Sequence, residues 1–403
     1  MQAEKFWPVS GREFYGDSEL AFSLTPGSSA RRCPLPEKTS SVVFSVGSGL
    51  GDALVMTPTI AALKARYPNI NTALVVNAAF FPLLEGIPGL DRLIPIDFTL
   101  AAHPKENSDQ TYLRRVIGTL SAEPGFDVYV FNALSKWINC WEGLARKGGA
   151  VFAGVVANPH PGASVIAVRN RGILATFSRP VYIGISWGLA LLCPFFRDWD
   201  FIPAERSAQD DLLSPNINPN LTGASQLEAV REKLAGTVDF SRPVIFVNPL
   251  ARYYARTLPL AGAQELIAGL AKRYPEAEIV IDRGADKEII GHPTKQTTWQ
   301  YIEELRARLP AGQAVKVLPP LTLAEVTAVM YLSDHIVSVD TGLVHICAAK
   351  VFNGKPCTML APGAGSREWF LDKPGRAFIM TKGRFIPKVL RHVAETMEML
   401  VPA

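Results

Sequence analysis

The sequence lacks the residue patterns that usually mark a metal centre or a disulfide framework. Its six histidines and five cysteines are widely spaced, without a C-x-x-C pair or the histidine spacing of a metal site. No D-x-D pair stands beside either of the glycine-containing turns described below, so we expect no metal ion there. The odd number of cysteines indicates buried thiols in a reducing compartment rather than disulfides. These cysteines are Cys33, Cys140, Cys193, Cys347 and Cys357.

Strong charge and long apolar runs are also absent. The net charge of +4 at pH 7 is too small to indicate a nucleic-acid partner. Residues 1–14 contain no hydrophobic core of a signal peptide. Residues 181–196 carry no charge, but they fall short of the ~20 residues that cross a bilayer. We interpret them as a buried strand and helix of a cytoplasmic protein.

An alternative for the same region is peripheral contact with the inner membrane. Residues 136–179 contain one acidic residue, Glu142, and several basic ones. The basic residues are Lys136, Arg146, Lys147, Arg169, Arg171 and Arg179. Together with Trp137 and Trp141, a basic surface of this kind suits an anionic lipid. A solvated face above two buried tryptophans is an equally ordinary interpretation.

Strand and helix patterns alternate in two separate stretches of the chain. At 403 residues and 48% hydrophobic content, the chain is long enough for two α/β domains. The alternation predicts two doubly wound parallel sheets with a ligand cleft between the domains. We expect an N-terminal extension at 1–40, a first domain at 41–200 and a linker at 201–242. A second domain is expected at 243–385 and a C-terminal helix at 386–403.

The most informative motif joins a predicted strand at 336–339 to a predicted helix at 345–351. Asp340, Thr341 and Gly342 occupy the turn, where the first two can cap the helix. The glycine lets the backbone approach a ligand closely. N–H groups at a helix start attract anions, and phosphate is the usual one. On its own, a plain helix cap would be the better explanation of this turn.

A comparable pattern occurs at residues 42–64. Its turn contains three glycines, Gly47, Gly49 and Gly51. A helix is predicted from Met56 onward. Asp52 stands where a dinucleotide fingerprint has its third glycine, and the next strand ends in neutral Asn77, so a nicotinamide nucleotide is not indicated. A carboxylate at the end of a strand is better placed to accept a proton.

These motifs resemble the signatures of the glycosyltransferase family 9 heptosyltransferases. The first half contributes Gly51-Asp52-Ala53-Leu54, Thr57-Pro58, Ala62-Leu63-Lys64 and Tyr67-Pro68, followed by residues 80–91 and 126–130. The second half contributes Val247-Asn248-Pro249 through Arg256-Thr257-Leu258-Pro259, which is similar to the family's donor-binding loop. Its most specific match is Asp340-Thr341-Gly342 with His345. The resemblance covers residues 41–135 and 243–370.

The chain departs from the family pattern at three places. Leu343 stands where the family usually has a proline, and residues 360–365 replace its phosphate-side loop. Arg256 replaces the usual lysine of the donor loop, which keeps the positive charge but offers planar, bidentate contacts. Residues 136–242 match no part of the pattern. The departures concern the sugar donor and the acceptor more than the fold.

The resemblance implies a GT-B fold, with two Rossmann-like domains facing a cleft, and an inverting, metal-independent glycosyl transfer. Asp52 is then the general base. The donor-binding residues would be Gly49, Gly51, Arg252, Arg256, Asp340, Thr341, Gly342 and His345. The donor would be a nucleotide-diphosphate sugar, ADP-heptose in this family, and no further cofactor is expected. The acceptor would be a glycan or lipid-linked molecule such as the lipopolysaccharide inner core.

Other functions remain open at this point. The two Rossmann-like halves would suit a nicotinamide oxidoreductase, but Asp52 and Asn77 count against it. Asp340-Thr341-Gly342 also occurs in aspartic proteases, although a second copy and an all-β setting are missing from the sequence. A non-catalytic, two-domain nucleotide- or sugar-binding protein would keep the same fold. A heptosyltransferase that modifies a protein is a further alternative.

Overall fold

The computed structural model describes ten segments of the chain, and everything below concerns these segments. They are residues 40–46, 49–98, 108–123, 125–132, 151–154, 164–167, 211–212, 214–309, 315–363 and 375–398. The chain divides into two compact units, Met1–Asn216 and Ile217–Ala403, called here the first and the second unit. The uncharged run at 181–196 lies outside the described residues. So does the expected extension at 1–40 apart from residue 40, and so does the basic region at 136–179 apart from 151–154 and 164–167.

In its described residues, the first unit contains one parallel sheet and the helices that connect its strands. The strands are β1 (Ser41–Val46), β2 (Asn71–Asn77), β3 (Arg92–Ile96), β4 (Val128–Asn132), β5 (Val151–Gly154) and β6 (Ser164–Ala167). The helices are α1 (Leu50–Arg66), α2 (Phe81–Leu84) and α3 (Ser108–Ala122), with a 3₁₀ turn at Ala78–Phe80.

These strands lie in the order β3-β2-β1-β4-β5-β6, and every neighbouring pair is parallel. Val43 of β1, for example, is paired with Ala73 on one side and Tyr129 on the other. The chain thus builds outward from β1 to β3, then returns to place β4 beside β1. The switch point lies between β1 and β4, and ligands of such sheets bind beyond the carboxyl ends of the strands at this point.

The second unit repeats the architecture. Its described strands are β7 (Val244–Asn248), β8 (Glu278–Ile281), β9 (Val315–Val317), β10 (His335–Val339), β11 (Cys357–Ala361) and β12 (Arg376–Met380). Its described helices are α4 (Ala224–Leu234), α5 (Leu260–Arg273), α6 (Thr298–Arg308), α7 (Leu323–Leu332), α8 (Gly342–Cys347) and α9 (Ile386–Glu398). Short 3₁₀ turns span Pro219–Thr222, Tyr254–Arg256 and Lys350–Phe352.

The second sheet is also parallel throughout, in the order β12-β11-β10-β7-β8-β9. Its switch point lies between β7 and β10. The two sheets confirm the predicted α/β class with two doubly wound parallel sheets. The boundary between the units, after Asn216, falls within the segment predicted as a linker, and α4 occupies part of the same segment.

Local sequence signals mark the start of two helices in the second unit and the buried face of a third. Thr297 and Gln300 form a capping box at the start of α6, and Thr322 and Glu325 form one at the start of α7. Helix α9 buries Ile386, Val389, Val393 and Met397, which recur at helical spacing and join one core with residues of α5. This face holds the C-terminal helix against its unit.

The start of α1 differs from the prediction. We expected a helix from Met56, with Asp52 in the preceding turn, but the helix begins at Leu50 and contains Pro58. A proline inside a helix lacks the N–H that would reach the carbonyl four residues earlier, which is that of Leu54. The Thr57 hydroxyl donates to this Leu54 carbonyl at 2.8 Å. Because this bond satisfies the carbonyl, the helix runs through the proline.

A buried chain of hydrogen bonds joins α9 to the sheet of the second unit. The imidazole of His335 contacts the Thr396 hydroxyl at 2.7 Å and the Thr358 hydroxyl at 2.9 Å. Thr358 in turn contacts the His392 ring at 2.8 Å. Burial, with a smaller contribution from His392, lowers the pKa of His335 to about 3. His335 is therefore neutral at neutral pH.

Two further predictions concern cysteines and membrane spans. Cys347 and Cys357, which lie within the described residues, are both buried and unbridged. In the part of the chain that is described, no helix combines the length and the apolar character needed to cross a membrane.

Candidate functional site

The switch point of the second sheet brings three polar side chains together. Asn248 ends β7, and its amide donates to the Ser338 hydroxyl at 3.1 Å and the Thr341 hydroxyl at 3.3 Å. The Asn248 side-chain oxygen accepts from the backbone N–H of Leu250 at 3.2 Å. These bonds tie the loop after β7 to the turn after β10. The turn and the donor-type loop are thus parts of one site.

Asp340, Thr341 and Gly342 form the predicted turn, but the helix that follows begins earlier than expected. Thr341 is the N-cap residue, and its hydroxyl accepts from the backbone N–H of Leu343 at 3.3 Å. Helix α8 therefore starts at Gly342 rather than at His345. The threonine cap was predicted from its residue type, and it moves the helix start forward because it satisfies an N–H of the first turn.

The loop that follows β7 holds Arg256 beside this turn. The Thr257 hydroxyl contacts the backbone N–H and carbonyl of Ala251, both at 3.2 Å, and closes the loop on itself. The phenol of Tyr301 donates to the Leu258 carbonyl at 2.6 Å and anchors the loop's end. Nη1 of Arg256 lies 3.5 Å from Oδ2 of Asp340. The Arg256 side chain is 52% exposed, whereas the Asp340 side chain is 7% exposed.

Arg252 belongs to the same loop. Its guanidinium carbon lies 5.4 Å from the ring centroid of Tyr253, within range of a cation–π contact. The backbone carbonyl of Arg252 accepts from Ile290 at 3.0 Å, so a second segment holds the loop from outside. Both predicted arginines thus sit on a supported loop, and one of them faces the Asp340 turn.

His345, the remaining donor-site candidate, lies inside the unit. It is 7% exposed, and burial lowers the pKa of its imidazole to about 4. A neutral imidazole offers a hydrogen bond but no positive charge. The positive charge of this site therefore comes from the arginines, and a donor contact from His345 stays a prediction.

Two residues near the switch point were not among the predicted site residues. Asn248 was noted only as part of the loop motif, and Asp282 was not considered. Asp282 follows β8, is 8% exposed and accepts from the Gly284 N–H at 3.0 Å. Burial raises the pKa of its carboxyl group, partly opposed by that hydrogen bond and by Lys287. A polar residue directly after a buried apolar strand was the available signal for both.

In the first unit, Gly49, Gly51 and Asp52 follow β1 at its switch point. Gly49 is the N-cap residue of α1, with an extended backbone at φ −88° and ψ 144°. Gly51 and Asp52 lie in the first turn of the helix, where a carboxylate is favoured by the helix dipole. A Cβ atom added at Gly49 would lie 2.9 Å from Oδ2 of Asp52. Donor contacts from the two glycines stay predictions.

The surroundings of Asp52 include a buried tyrosine on α3. Tyr112 is 2% exposed, and its ring packs edge-on against Phe98 with 5.2 Å between ring centroids. Burial, with a smaller contribution from the charge of Asp52, raises the pKa of the Tyr112 phenol above its ordinary value. The Asn77 amide donates to the Phe98 carbonyl at 3.0 Å. A phenol, an aromatic ring and an amide therefore lie at this end of the sheet.

The family comparison concerns mainly the residues of the second unit. Residues 207–351 match the model of glycosyltransferase family 9 (heptosyltransferase). The resemblance to family 9 is confirmed. The same match confirms the prediction of a glycosyltransferase. The matched segment includes Asn248, Arg252, Arg256 and the turn at Asp340, whereas Asp52 lies outside it.

Solved structures give the same fold over nearly the whole chain. A family 9 glycosyltransferase from Veillonella parvula DSM 2008 has a TM-score of 0.60 at 14% identity, over 92% of each chain. The E. coli ADP-heptose lps heptosyltransferase II has a TM-score of 0.61 at 15% identity, over 89% of this chain and 99% of that one.

A third structure, E. coli heptosyltransferase WaaC with ADP-2-deoxy-2-fluoro heptose, has a TM-score of 0.55 at 18% identity. The alignment covers 90% of this chain and 100% of that one. At these identities the likeness establishes the fold, and it confirms the predicted GT-B class. No curated protein matches the chain in sequence.

Proposed function

We propose that the protein is an inverting, metal-independent heptosyltransferase that moves the sugar of a nucleotide-diphosphate donor to a glycan. One observation carries this proposal. Arg256 and the Asp340–Gly342 turn meet at the switch point of the sheet that matches family 9. A half-exposed arginine beside a capped helix start offers positive charge and N–H donors where a diphosphate would bind.

The donor side of the reaction falls to the second unit. As the bond between sugar and diphosphate breaks, negative charge grows on the leaving diphosphate. Arg256 and Arg252 offset that charge, and a fixed donor already oriented toward it stabilises the transition state more than the ground state. ADP-heptose is the donor that we favour, because the structural relatives include an ADP-heptose lps heptosyltransferase and a heptosyltransferase with an ADP-heptose analogue.

The acceptor side falls to Asp52. Its carboxylate removes the proton of an acceptor hydroxyl as that oxygen attacks the anomeric carbon from the face opposite the diphosphate. The carbon–oxygen bond to the acceptor forms while the bond to the diphosphate breaks, so the configuration inverts. This single displacement needs one carboxylate as general base, whereas glycosidases use a pair.

The acceptor that we propose is the inner core of lipopolysaccharide, which contains hydroxyl-rich and anionic sugars. It is supported by the E. coli relative, which is an ADP-heptose lps heptosyltransferase. The sequence motifs left residues 136–242 unmatched, but the family match begins at residue 207, so that expectation was wrong for 207–242. Residues 136–206 lie outside the match and begin in a basic stretch, and we place acceptor specificity in this segment.

A direct assay tests the whole proposal. The purified protein is incubated with ADP-heptose and heptose-deficient lipopolysaccharide, and release of ADP is measured together with the mass of the glycan. We expect a gain of one heptose per acceptor and a change of anomeric configuration. Donor binding without ADP release or mass gain would indicate a non-catalytic sugar-binding protein. Transfer to a protein substrate only would retain the chemistry and reject the glycan acceptor.

A further inference from the structure

Arg256 has a half-exposed side chain that contacts the carboxylate of Asp340. Asp340 follows β10, and its backbone N–H donates to the Leu360 carbonyl at 3.0 Å, which continues the pairing with β11. The next residue, Thr341, is tied to Asn248 and caps α8. The backbone around Asp340 is therefore held on both sides, and the side chain is 7% exposed. Burial limits the movement of the carboxylate, which makes it an anchor for a group that pairs with it.

Arg256, which pairs with this anchor, is also the residue that we propose binds the donor diphosphate. A half-exposed arginine loses rotamer freedom when it is fixed in one orientation. A partner that already holds the guanidinium removes part of this cost from ligand binding. The 3.5 Å contact through Nη1 leaves other N–H groups of the same planar fork available for phosphate oxygens.

We propose that Asp340 is a positioning residue: it holds Arg256 over the turn so that the guanidinium bridges its carboxylate and the donor diphosphate. The proposal rests on the function proposed above and deepens it. It also gives a reason for an arginine at this position. A guanidinium can bind a carboxylate and a phosphate at once through different N–H groups, whereas an ammonium acts as a point charge.

Substitution of Asp340 gives a clear test, because its charge and its positioning of Arg256 would change the affinity for ADP in opposite directions. A carboxylate near a diphosphate repels it, so removal of this charge alone should tighten the binding of ADP. If the carboxylate instead holds Arg256 in place, its removal should weaken the binding of ADP. Asp340→Asn keeps the side-chain size, and thermal unfolding would show whether the variant stays folded.

The experiment measures dissociation constants for ADP and adenosine by calorimetry in four proteins. They are the unaltered protein, Asp340→Asn, Arg256→Ala and the double variant. We expect Asp340→Asn to raise the Kd of ADP about tenfold, the loss typical of a modest charge-assisted bond. The Kd of adenosine should change less than twofold, since adenosine carries no phosphate. In the Arg256→Ala background, Asp340→Asn should no longer weaken ADP binding.

Two outcomes would overturn the inference in different ways. Unchanged or tighter ADP binding in Asp340→Asn, with weaker binding in Arg256→Ala, would leave the donor site standing and reject the positioning role. Unchanged ADP binding in Arg256→Ala would reject the donor site and the positioning role together. Arg256→Lys adds a check. It keeps the charge and loses the bridge, so its ADP affinity should lie between those of the unaltered protein and Arg256→Ala.

Discussion

A side chain at Gly49 would place its Cβ atom 2.9 Å from Oδ2 of Asp52. The backbone of Gly49 is extended, with negative φ, so its conformation does not itself require glycine. What the glycine provides is space for a carboxylate at the start of α1. The position of the proposed base therefore depends on the absence of a side chain three residues earlier.

Substitution of this glycine tests the dependence. In Gly49→Ala, the new methyl group contacts the end of a flexible side chain, so the Asp52 carboxylate should rotate away while the fold persists. We expect turnover to fall by about tenfold or more, since a misplacement near 1 Å can cost up to ~10²-fold. Steady-state kinetics and thermal unfolding would separate the two effects.

Gly118→Ala is the matched control for Gly49→Ala. Gly118 lies in helix α3, and a Cβ atom there meets nothing within 4 Å. Because alanine favours helix formation, this variant should gain about 0.5–1 kcal/mol of stability and keep its turnover. Normal turnover in Gly49→Ala would show that Asp52 tolerates the displacement, and it would weaken the assignment of a precisely placed base.

Asp52→Asn removes the proton acceptor while it keeps the side-chain size. Loss of a positioned general base should reduce turnover by ~10²-fold or more, whereas the affinity for the nucleotide donor should stay nearly constant. Turnover and donor Kd would be measured separately. Asp91→Asn is the control, since Asp91 forms a salt bridge to Lys64 at 2.7 Å and has no proposed role in catalysis. Turnover of Asp52→Asn at the level of the unaltered protein would contradict the role of Asp52.

Arg256→Ala should separate phosphate binding from nucleoside binding. The guanidinium pairs with charge that only the phosphates carry, so ADP should lose at least about tenfold in affinity and adenosine almost none. Arg308→Ala is a matched control. Its side chain is 46% exposed and pairs with Glu304 on the surface of α6, so neither ligand should be affected. Equal losses for ADP and adenosine in Arg256→Ala would indicate a folding defect or a different site.

Acid should weaken the second unit through its buried histidines. Burial lowers the pKa of His335 from 6.5 to about 3, so below 6.5 the unfolded chain binds more protons than the folded one. Stability is therefore retained above pH 6.5 and lost as the pH falls toward 3. In this range, one such group changes the free energy of unfolding by up to about 1.4 kcal/mol per pH unit. His345 adds to the slope, because burial also lowers its pKa, to about 4.

His335→Gln gives the specific test of this pH dependence. The variant should be less stable at pH 7, since it loses the bonds that His335 makes to Thr358 and Thr396. Its stability should nevertheless fall less steeply between pH 6.5 and pH 4, because one titrating group is gone. Urea unfolding at several pH values would measure both. A slope as steep as that of the unaltered protein would assign the acid sensitivity to other groups.

The sequence was sufficient where a signal was local. The apolar, β-branched run before Asp340 predicted a strand, and β10 forms there. The start of α1 was wrong, because Pro58 suggested a first turn and nothing local showed that Thr57 would satisfy the Leu54 carbonyl. Proline usually occurs in the first turn of a helix, but one side-chain hydrogen bond can allow it further inside.

Contacts between distant residues could not be predicted in the same way. The Asn248 amide reaches Ser338 and Thr341, and Arg256 reaches Asp340, only because β7 and β10 are neighbours in the sheet. The loop motif and the turn motif each suggested a donor site. Their union into one site depends on strand order, which the sequence gives only through the general pattern of doubly wound sheets.

Glycosyl transfer should proceed without a divalent metal. The phosphate charge would be met by Arg256 and Arg252, which supply fixed positive charge and N–H donors, so a cation is not needed for that purpose. Turnover with ADP-heptose should therefore survive saturating EDTA, and added Mg²⁺ should change it less than twofold. A zinc- or magnesium-free buffer with no EDTA serves as the control for any effect of the chelator on the fold.

Loss of turnover in EDTA that Mg²⁺ or Mn²⁺ restores would contradict the metal-free mechanism. It would direct attention to Asp198 and Asp200, a D-x-D pair within residues 136–242 and outside the described part of the chain. If these two aspartates hold that metal, their paired substitution by asparagine should prevent Mg²⁺ or Mn²⁺ from restoring turnover. Under the metal-free mechanism, the turnover of this variant should be the same with and without EDTA.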